Sequence, residues 1–320
     1  MLPDLTKHSN SHSQSDCRHD FVRAGFFYRN CDTTWVQRFR CKLCKFTKSI
    51  STDQLFYRQR RRNINAAICL QLCSGVSQRR CALILPANRK TVVRKFRFFA
   101  DFFELVLKLQ NNQSELVKSM QFDDLETFEH TKCKPLSVTL AVENDSRRIL
   151  GFEVSRMPCK GRLAKISIAK YGKREDERGT ARDKLFLKIK QYLDPKAIIE
   201  SDDNPHYTKQ VKEHFPECSH FTTIGGRGKS TGQGELKRKV YDPLFAINHT
   251  FAKLRDDIKR MARKSWCTTK IPDQLRINIT MMAVYHNYRI MKNEVKDSKD
   301  INVFHDLFLT MNQFNTQTKC

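Results

Sequence analysis

Short apolar runs alternate with amphipathic segments along the chain from about residue 119 onward. The apolar runs have the β-rich composition of strands, and the polar residues 144–146 predict a hairpin turn between two of them. Two longer segments, 179–193 and 273–290, have the apolar spacing of amphipathic helices. The predicted strands are residues 120–124, 136–143, 147–155, 196–203 and 220–224. This order of strands and helices predicts a mixed α/β domain around one central sheet.

Residues 241–260 predict a further helix with an unusual polar position. Asp242 is a favourable N-cap residue, and Pro243 follows it where no backbone N–H is needed. Asn248 lies three residues before Phe251, which places it on the inward-facing apolar stripe, where an amide is costly to bury. The stripe consists of Phe251, Leu254, Ile258 and Met261. A polar residue at this position suggests a functional role for Asn248.

Residues 61–115 predict short helices ahead of this domain. One segment with an apolar face stops at Gly75, a second begins at Ser77 as its N-cap, and a turn then leads to a third, basic helix. Two short helices, a tight turn and a basic third helix are typical of a helix-turn-helix, although a helical bundle with a solvated basic face has the same pattern. The basic residues of the third helix are Arg89, Lys90, Arg94, Lys95 and Arg97.

The first 60 residues contain a candidate zinc site. Cys41 and Cys44 have two residues between them, the spacing that lets both sulfurs reach one tetrahedral zinc. Cys17 and His19 are the best upstream pair of ligands, and Cys31 is an alternative. The other interpretation is a set of unligated cysteines that act as small hydrophobic residues. The polar residues 1–16 are predicted to be flexible.

The net charge narrows the class of partner. Lys and Arg number 59 against 34 Asp and Glu, and the resulting charge of +25 favours a polyanion such as nucleic acid. A membrane partner is not expected, because no stretch approaches roughly 18 uncharged apolar residues and no signal peptide is recognisable. Since nothing indicates secretion, the 12 cysteines are expected to be reduced thiols, some of them on zinc.

Two carboxylates mark a candidate metal site in the predicted α/β domain. Asp123 and Asp202 each terminate an apolar run that predicts a strand. Because the ends of adjacent strands converge, we expect both side chains to point at one spot. A few carboxylates together with water and phosphate oxygens suit Mg²⁺, and a pair of such ions can support phosphoryl transfer.

Three motifs in this order resemble bacterial insertion-sequence transposases with an RNase H-like catalytic domain, similar to the group named after the first insertion sequence. The first is MQFDDLETFEH at 120–130, and the second is ESDDNPHY at 200–207. The third is INHTFAKLRDDIKRMARKSW at 247–266, which looks like the family's helix with a third metal-site residue and a run of arginines. A zinc-binding region and a helix-turn-helix ahead of the catalytic core also resemble that group.

The resemblance implies a role for individual residues. It makes Asp123 the first acid of the catalytic metal site and Asp202 the second. Asn248 then stands at the third position of that site, where the closest relatives in the family carry glutamate. An amide oxygen can ligate Mg²⁺ but brings no charge and cannot act as a base. Basic residues on the same predicted helix are candidates for phosphate contacts, which position DNA without specifying its sequence. They are Lys253, Arg255, Lys259, Arg260, Arg263 and Lys264.

These observations predict a Mg²⁺-dependent (or Mn²⁺-dependent) DNA transposase with structural Zn²⁺, acting on double-stranded DNA as element ends and target. We expect a homo-oligomer on DNA and a cytoplasmic, nucleoid-associated location. The predicted domains are a tail with a zinc-binding module at 1–60, a helix-turn-helix domain at 61–118 and an RNase H-like catalytic domain with a C-terminal helix at 119–320. The alternatives are a non-catalytic DNA-binding regulator derived from a transposase and a plain nuclease.

Overall fold

A computed structural model describes residues 17–30, 33–52, 56–224, 242–262 and 266–291, together with Phe304, Leu307 and Phe308. The chain divides into two compact units. One comprises Met1–Asn65 with Asp306–Cys320, and the other comprises Ala66–His305. Within the described ranges, no helix has both the length and the apolar character that crossing a bilayer requires.

The first unit contains a small antiparallel sheet. Its strands are β1 (Phe21–Arg29), β2 (Thr34–Cys41) and β3 (Thr47–Ser49), in the order β1-β2-β3. A bulge interrupts the pairing between Arg23 and Phe26, and Gly25 within it has φ of +78°, a conformation that glycine adopts without strain. The sequence pattern did not predict this sheet.

The second unit begins with three helices where the apolar pattern predicted them. They are α1 (Asn65–Cys73), α2 (Gln78–Ile84) and α3 (Arg89–Asn112). Ser77 caps α2 by accepting a hydrogen bond from the Arg80 N–H, and Asn88 caps α3 in the same way through the Lys90 N–H. The third helix is longer than a short recognition helix, because its buried apolar face continues to Leu107 and the helix ends at Asn112.

A five-stranded mixed sheet forms the centre of this unit, as the alternation of apolar runs predicted. Its strands are β4 (Val117–Phe128), β5 (Pro135–Glu143), β6 (Ile149–Arg156), β7 (Leu193–Asp202) and β8 (Ser219–Thr223), in the order β6-β5-β4-β7-β8. The predicted hairpin at 136–155 is confirmed, since β5 and β6 pair antiparallel. The strand β4 pairs antiparallel with β5 and parallel with β7, and β8 pairs parallel with β7.

Helices cover both faces of the sheet. The helices are α4 (Ala164–Tyr171), α5 (Arg178–Ile189), α6 (Pro205–His214), α7 (Phe245–Asp257) and α8 (Pro272–Met291). Side chains of α5 and α6 pack against Phe122, whose ring lies 5.1 Å from that of Phe186 and 4.9 Å from that of Tyr207. Gln121 points to the opposite face, because successive strand residues alternate, and there its side chain contacts α7.

Buried amides connect α8 to its neighbours. Asn287 of α8 bonds both the N–H and the carbonyl of Ile149 at 2.8 Å, and Gln110 of α3 donates to the Val284 carbonyl at 3.1 Å. The helix α3 therefore belongs to the same packed unit as the sheet, through α8.

Three details of the predicted site elements are wrong. The strand β4 continues to Phe128, so Asp123 lies within a strand and does not terminate it. The helix α7 begins at Phe245 after Leu244, and Asp242 instead accepts a hydrogen bond from the Leu244 N–H at 3.1 Å in the preceding turn. The helix α7 ends at Asp257, because Ile258 has an extended backbone with φ of −103° and ψ of 101°. Lys259 and Arg260 are consequently not on this helix.

Asn248 is also not on the buried stripe; its side chain is exposed. From Phe251 the buried face continues to Ile247, four residues back, and not to the residue three positions back. Asn248 lies about 100° around the helix from Ile247, outside that stripe. The buried residues are Ala246, Ile247, Thr250, Phe251 and Leu254.

Gly151 is expected to be intolerant of a side chain, because β6 packs closely on α5. A Cβ there would lie 2.9 Å from Ile189 Cγ2 and 3.0 Å from Leu185 Cδ1, and both side chains are fully buried. We expect Gly151→Ala to lower the free energy of unfolding by about 1–3 kcal/mol, measured by urea denaturation.

The control is Gly179→Ala in α5, where a Cβ would meet only Gln210 Nε2, at 3.9 Å. That change should be neutral or stabilising, because alanine is favoured over glycine in a helix. Equal effects of the two substitutions would contradict the close packing of β6 on α5.

Candidate functional site

The register of the sheet brings the two predicted acids side by side. On the parallel strands β4 and β7, Gln121 pairs with Glu200, and two residues further along each strand stand Asp123 and Asp202. Residues two apart share a face, so both carboxylates lie on the same side of the sheet. Burial raises the pKa of Asp123 to about 7, and the nearby charges of Asp202 and Asp124 act in the same direction, against the lowering by its own hydrogen bonds.

Asp202 has a buried oxygen that nothing in the described part of the chain satisfies. Its Oδ1 is inaccessible to solvent and has no hydrogen-bond partner among those residues. Burial raises the pKa of Asp202, with the charges of Asp124 and Asp203 adding to the effect, although the Asn204 N–H and Arg182 oppose it. A desolvated carboxylate oxygen without a partner is costly, and a divalent cation satisfies it. The donor set therefore fits a hard cation such as Mg²⁺.

A third carboxylate, Asp124, is neutralised within the protein. Arg182 Nη1 lies 2.8 Å from Asp124 Oδ2, both side chains are almost fully buried, and the Thr139 hydroxyl donates to Asp124 Oδ1. The Arg182 guanidinium also donates to Gln210 at 2.6 Å and lies over the Tyr207 ring at 4.9 Å. Asp124 is thus a structural partner of Arg182, and its oxygens are already engaged.

Tyr207 connects this ion pair to the candidate metal ligands. Its hydroxyl donates to Asp123 Oδ1 at 3.3 Å, and burial, with the three surrounding carboxylates, holds the pKa of the phenol well above its usual range. The hydroxyl therefore stays protonated and orients the Asp123 carboxylate.

The sequence analysis did not predict the roles of Arg182, Gln210 or Tyr207. Two signals were available in the sequence. Arg182 lies on the apolar stripe of α5 with Leu185, Phe186 and Ile189, and Tyr207 is the tyrosine of the Pro–x–Tyr motif in residues 205–207.

Asn248 contacts Asp242, and no contact with Asp123 or Asp202 exists in the described structure. Its amide donates to the two Asp242 carboxylate oxygens at 3.1 and 3.4 Å. The start of α7 is nevertheless tied to the strand that carries Asp123. Gln121 accepts from the Ile247 N–H at 3.1 Å and donates to the Pro243 carbonyl at 2.8 Å.

The four predicted zinc ligands come together in the first unit. The Cys17 and Cys41 sulfurs are 3.9 Å apart, Cys44 Sγ lies 3.2 Å from His19 Nδ1, and all four ligand atoms lie within 4.8 Å of one another. Although desolvation opposes it, hydrogen bonds from the Cys44 and Leu43 N–H groups and from His19 lower the pKa of Cys41 to about 6. Burial and the neighbouring Cys44 and Cys41 raise the pKa of Cys17 to about 11, so Cys41 is the thiol of this pair that ionises first.

In the described ranges, no other set of three or more cysteine, histidine or carboxylate ligand atoms lies this close together. The alternative ligand, Cys31, lies outside the described residues.

Four of the five basic residues predicted on α3 are exposed. Lys90, Arg94 and Arg97 recur every three or four residues and share one face, and Arg89 is exposed beside them at the start of the helix. Lys95 is only 4% exposed, which argues against the predicted DNA contact. It lies next to Phe96 on the inward side of the helix, which is the apolar stripe.

The basic residues predicted around α7 have different environments. Lys253 forms an ion pair with Asp257 at 2.7 Å, and Arg255 is half-buried. Arg260 packs over the Phe96 ring at 6.0 Å, and burial lowers the pKa of its guanidinium. Arg263 and Lys264 lie outside the described residues.

The turn between β5 and β6 supports the side of α7 opposite the buried stripe. Arg147 in this turn has φ of +65°, and its guanidinium lies 3.4 Å from the His249 ring nitrogens. The buried His286 of α8 bonds the Arg147 carbonyl at 2.9 Å through Nε2. These contacts hold Arg147 in a conformation that is unusual for a residue with a side chain.

Comparisons with known proteins give remote structural likenesses. No protein-family model and no curated protein matches the sequence. A piggyBac transposase synaptic complex with hairpin DNA aligns with 10% identity and a TM-score of 0.37, covering 83% of this chain and 74% of that chain. The catalytic domain of Mos1 mariner transposase aligns with 10% identity and a TM-score of 0.22, covering 64% of this chain and 96% of that chain. Scores this low establish no relationship, so the functional conclusion depends on the site itself.

The buried His286 is expected to make stability depend on pH. Burial lowers its pKa from 6.5 to about 4, and the charges of Lys253, Arg147 and His249 act in the same direction. The unfolded chain therefore binds a proton at a higher pH than the folded chain, and stability falls as the pH drops from about 6.5 to about 4. The shift corresponds to about 3 kcal/mol.

His286→Gln should remove this part of the pH dependence, which urea unfolding at several pH values measures. His206→Gln, at an exposed position in α6, is the control and should keep the wild-type profile. Identical profiles for wild type and His286→Gln would contradict the burial of a neutral imidazole.

Proposed function

We propose that this chain is a DNA transposase whose sheet holds a metal-dependent centre for strand cleavage and strand transfer. The observation that carries the proposal is the carboxylate pair. Asp123, with a pKa raised to about 7, lies beside Asp202, whose buried Oδ1 has no partner in the described residues. Two desolvated acids on adjacent strands repel each other unless a cation lies between them.

The topology of the sheet supports the same proposal. In chain order the five strands are arranged 3-2-1-4-5, with the first three antiparallel and the last two parallel to the first. This is the arrangement of an RNase H-like domain, the fold that the sequence motifs imply. Asp123 on the first strand and Asp202 at the end of the fourth occupy the positions that those motifs assign to the first two acids.

Asp123 and Asp202 would hold Mg²⁺ or Mn²⁺, and Asn248 is the proposed third member of the site. When bound, the cation would activate the attacking oxygen and stabilise the leaving oxygen of a phosphodiester. Cleavage would be attack by water, and strand transfer would be attack by the freed 3′-hydroxyl on target DNA. Tyr207 orients the Asp123 carboxylate through its hydroxyl, and Arg182 keeps Asp124 from adding a third uncompensated charge.

One surface would bind the double-stranded DNA of element ends and target. The exposed face of α3, with Lys90, Arg94 and Arg97, suits phosphate contacts in a helix-turn-helix arrangement. The Cys17, His19, Cys41 and Cys44 cluster would bind structural Zn²⁺ and stabilise the small first unit. A homo-oligomer would bring two element ends together.

A non-catalytic DNA-binding regulator derived from a transposase is the second candidate. One observation favours it: Asn248 is exposed, and its amide is bound by Asp242, away from the carboxylate pair. Such a protein would bind DNA in a salt-sensitive manner without Mg²⁺-dependent nicking.

Asp202→Asn should abolish Mg²⁺-dependent cleavage while leaving the affinity for DNA unchanged. The amide removes a charge that the cation needs, whereas DNA contacts come from basic residues elsewhere. Gel assays of nicking and strand joining, with binding measured by fluorescence anisotropy, test both parts.

Asp203→Asn is the matched control, since Asp203 is adjacent and exposed. Cleavage that survives Asp202→Asn would contradict the metal assignment. Asn248→Leu tests the third position in the same assay: full activity would show that Asn248 is no ligand.

Cys44→Ser should reduce the zinc content of the purified protein, because one of four clustered ligand atoms is weakened. Elemental analysis is expected to find about one zinc per wild-type chain. Cys133→Ser is the control, because Cys133 is half-buried and outside the cluster. A zinc-free wild-type protein, or equal zinc in all three proteins, would contradict the site.

A further inference from the structure

The small sheet of the first unit carries three exposed aromatic rings that have no role in the sites described so far. Phe26 is 63% exposed, Tyr28 is 47% exposed and Trp35 is 69% exposed. The opposite face of the sheet is the packed one, since Val36, the neighbour of Trp35 on β2, is only 4% exposed. Exposed apolar patches of this kind mark binding sites.

The pairing of β1 with β2 places the three rings on one face of the sheet. Tyr28 lies directly opposite Trp35, and Phe26 lies opposite Gln37, two residues further along each strand. Cross-strand partners point to the same side of an antiparallel pair, and residues two apart on a strand share a face. The Tyr28 and Trp35 ring centroids are 5.4 Å apart, so these two rings form one contiguous surface.

The bulge in β1 decides which aromatic residues reach this face. Between Arg23 and Phe26, three steps along β1 match two steps along β2. Without the extra residue, strand alternation from Arg23 would bring Phe27 to this face in place of Phe26. Gln37 fixes the bulge, because its side-chain amide donates to the Gly25 carbonyl at 2.8 Å. The position of the rings is therefore set by the backbone.

The charge around the rings favours an anionic partner. Arg23 and Lys48 lie on the same face as the rings, because both pair with the same residue of β2. Between residues 17 and 49 the only acidic residues are Asp20 and Asp32, and Asp20 forms an ion pair with Lys42 at 3.1 Å. An aromatic surface on a basic sheet is complementary to a chain that carries both negative charge and planar rings.

A single-stranded nucleic acid has both properties, whereas a duplex does not offer its rings. In a duplex the bases are paired and stacked on one another, so that a protein meets only the backbone and the base edges in the grooves. In a single strand every base has an accessible π-face, and stacking on an aromatic side chain contributes about 1–3 kcal/mol per base. An acidic peptide supplies the negative charge without the rings.

The polarity of the face favours DNA over RNA. Apart from Gln37, the strand side chains on this face are aromatic, basic or cysteine, and the Gln37 amide nitrogen donates to two backbone carbonyls, at 2.8 and 2.9 Å. A ribose 2′-hydroxyl held against these rings would lose water and gain few hydrogen-bond partners, which is unfavourable. Deoxyribose avoids that loss.

We infer that this face of β1 and β2 binds single-stranded DNA, with unpaired bases stacked on Phe26, Tyr28 and Trp35 and with phosphates bound by Arg23 and Lys48. The inference goes beyond the proposed function, because it uses neither the carboxylate pair nor the α3 surface proposed for duplex DNA. It holds equally for a transposase and for a DNA-binding regulator.

The test uses the full-length protein and the fluorescence of Trp35. The chain has 2 tryptophans, so Trp266→Phe leaves Trp35 as the only one. In that protein, a single-stranded DNA of about 12 residues, added without magnesium, should quench the Trp35 fluorescence, and the same sequence as a duplex should not. Trp35→Ala and Phe26→Ala should each weaken single-strand binding about tenfold, measured by anisotropy of a labelled strand, and leave duplex binding unchanged.

Phe221→Ala is the matched control, because Phe221 on β8 is 57% exposed, close to the value for Phe26, and it should leave single-strand binding unchanged. Trp35→Phe should keep most of the affinity and Trp35→Leu should lose it, since leucine retains apolar surface but has no ring. Circular dichroism and the thermal midpoint verify that each variant is folded.

Four results would overturn the inference. They are equal quenching of Trp35 by the duplex, equal quenching by polyglutamate, binding of RNA of the same sequence as tightly as DNA, and single-strand affinity that survives both Trp35→Ala and Phe26→Ala. If sedimentation shows that these two variants instead dissociate an oligomer, the face is an interface between copies of the chain.

The same variants separate this inference from the proposed transposase activity. Asp202→Asn should bind single-stranded DNA as wild type does. If no protein cleaves DNA in magnesium but single-strand binding depends on Trp35, the transposase proposal is wrong and the aromatic face stands. If cleavage depends on Asp202 but single-strand binding does not depend on Trp35 or Phe26, only the aromatic face is wrong.

Discussion

The buried ion pair between Arg182 and Asp124 allows three carboxylates to meet at one place in the sheet. Burial and the neighbouring carboxylates raise the pKa values of Asp123 and Asp202, and an unpaired buried charge is strongly destabilising. Arg182 neutralises one of the three at 2.8 Å and lies over the Tyr207 ring, which in turn donates to Asp123. Among the described residues, Asp123 and Asp202 thereby have no ion pair with a cationic side chain, an arrangement that suits a bound cation.

A second buried side chain extends this arrangement to the other face of the sheet. Gln121 uses its amide to join β4, β7 and the start of α7, through Glu200, the Pro243 carbonyl and the Ile247 N–H. The same connection places Asn248 on the exposed side of α7, since Ile247 faces the strand.

Local sequence signals predicted elements well where the decisive interactions are also local. Ser77 predicted the start of α2, and the polar residues 144–146 predicted the β5–β6 hairpin, because caps and turns are decided by neighbouring residues. The two-residue spacing of Cys41 and Cys44 likewise predicted a cluster that Cys17 and His19 complete. Asn248 was misplaced because the prediction counted three residues back from Phe251, whereas the buried face continues to Ile247, four residues back.

The sequence by itself determined the mixed α/β order and the pairing of Cys41 with Cys44, and it predicted Asp123 and Asp202 as two candidate acids, since periodicity and spacing are properties of short segments. Tertiary structure alone decided which charges are compensated. Asp124 and Asp123 are adjacent in sequence, yet one faces Arg182 from α5 and the other faces Asp202 from β7. Lys95 and Arg94 are adjacent too, yet one is buried and the other exposed. Strand alternation and helix rotation send neighbouring side chains in different directions, and their partners come from distant parts of the chain.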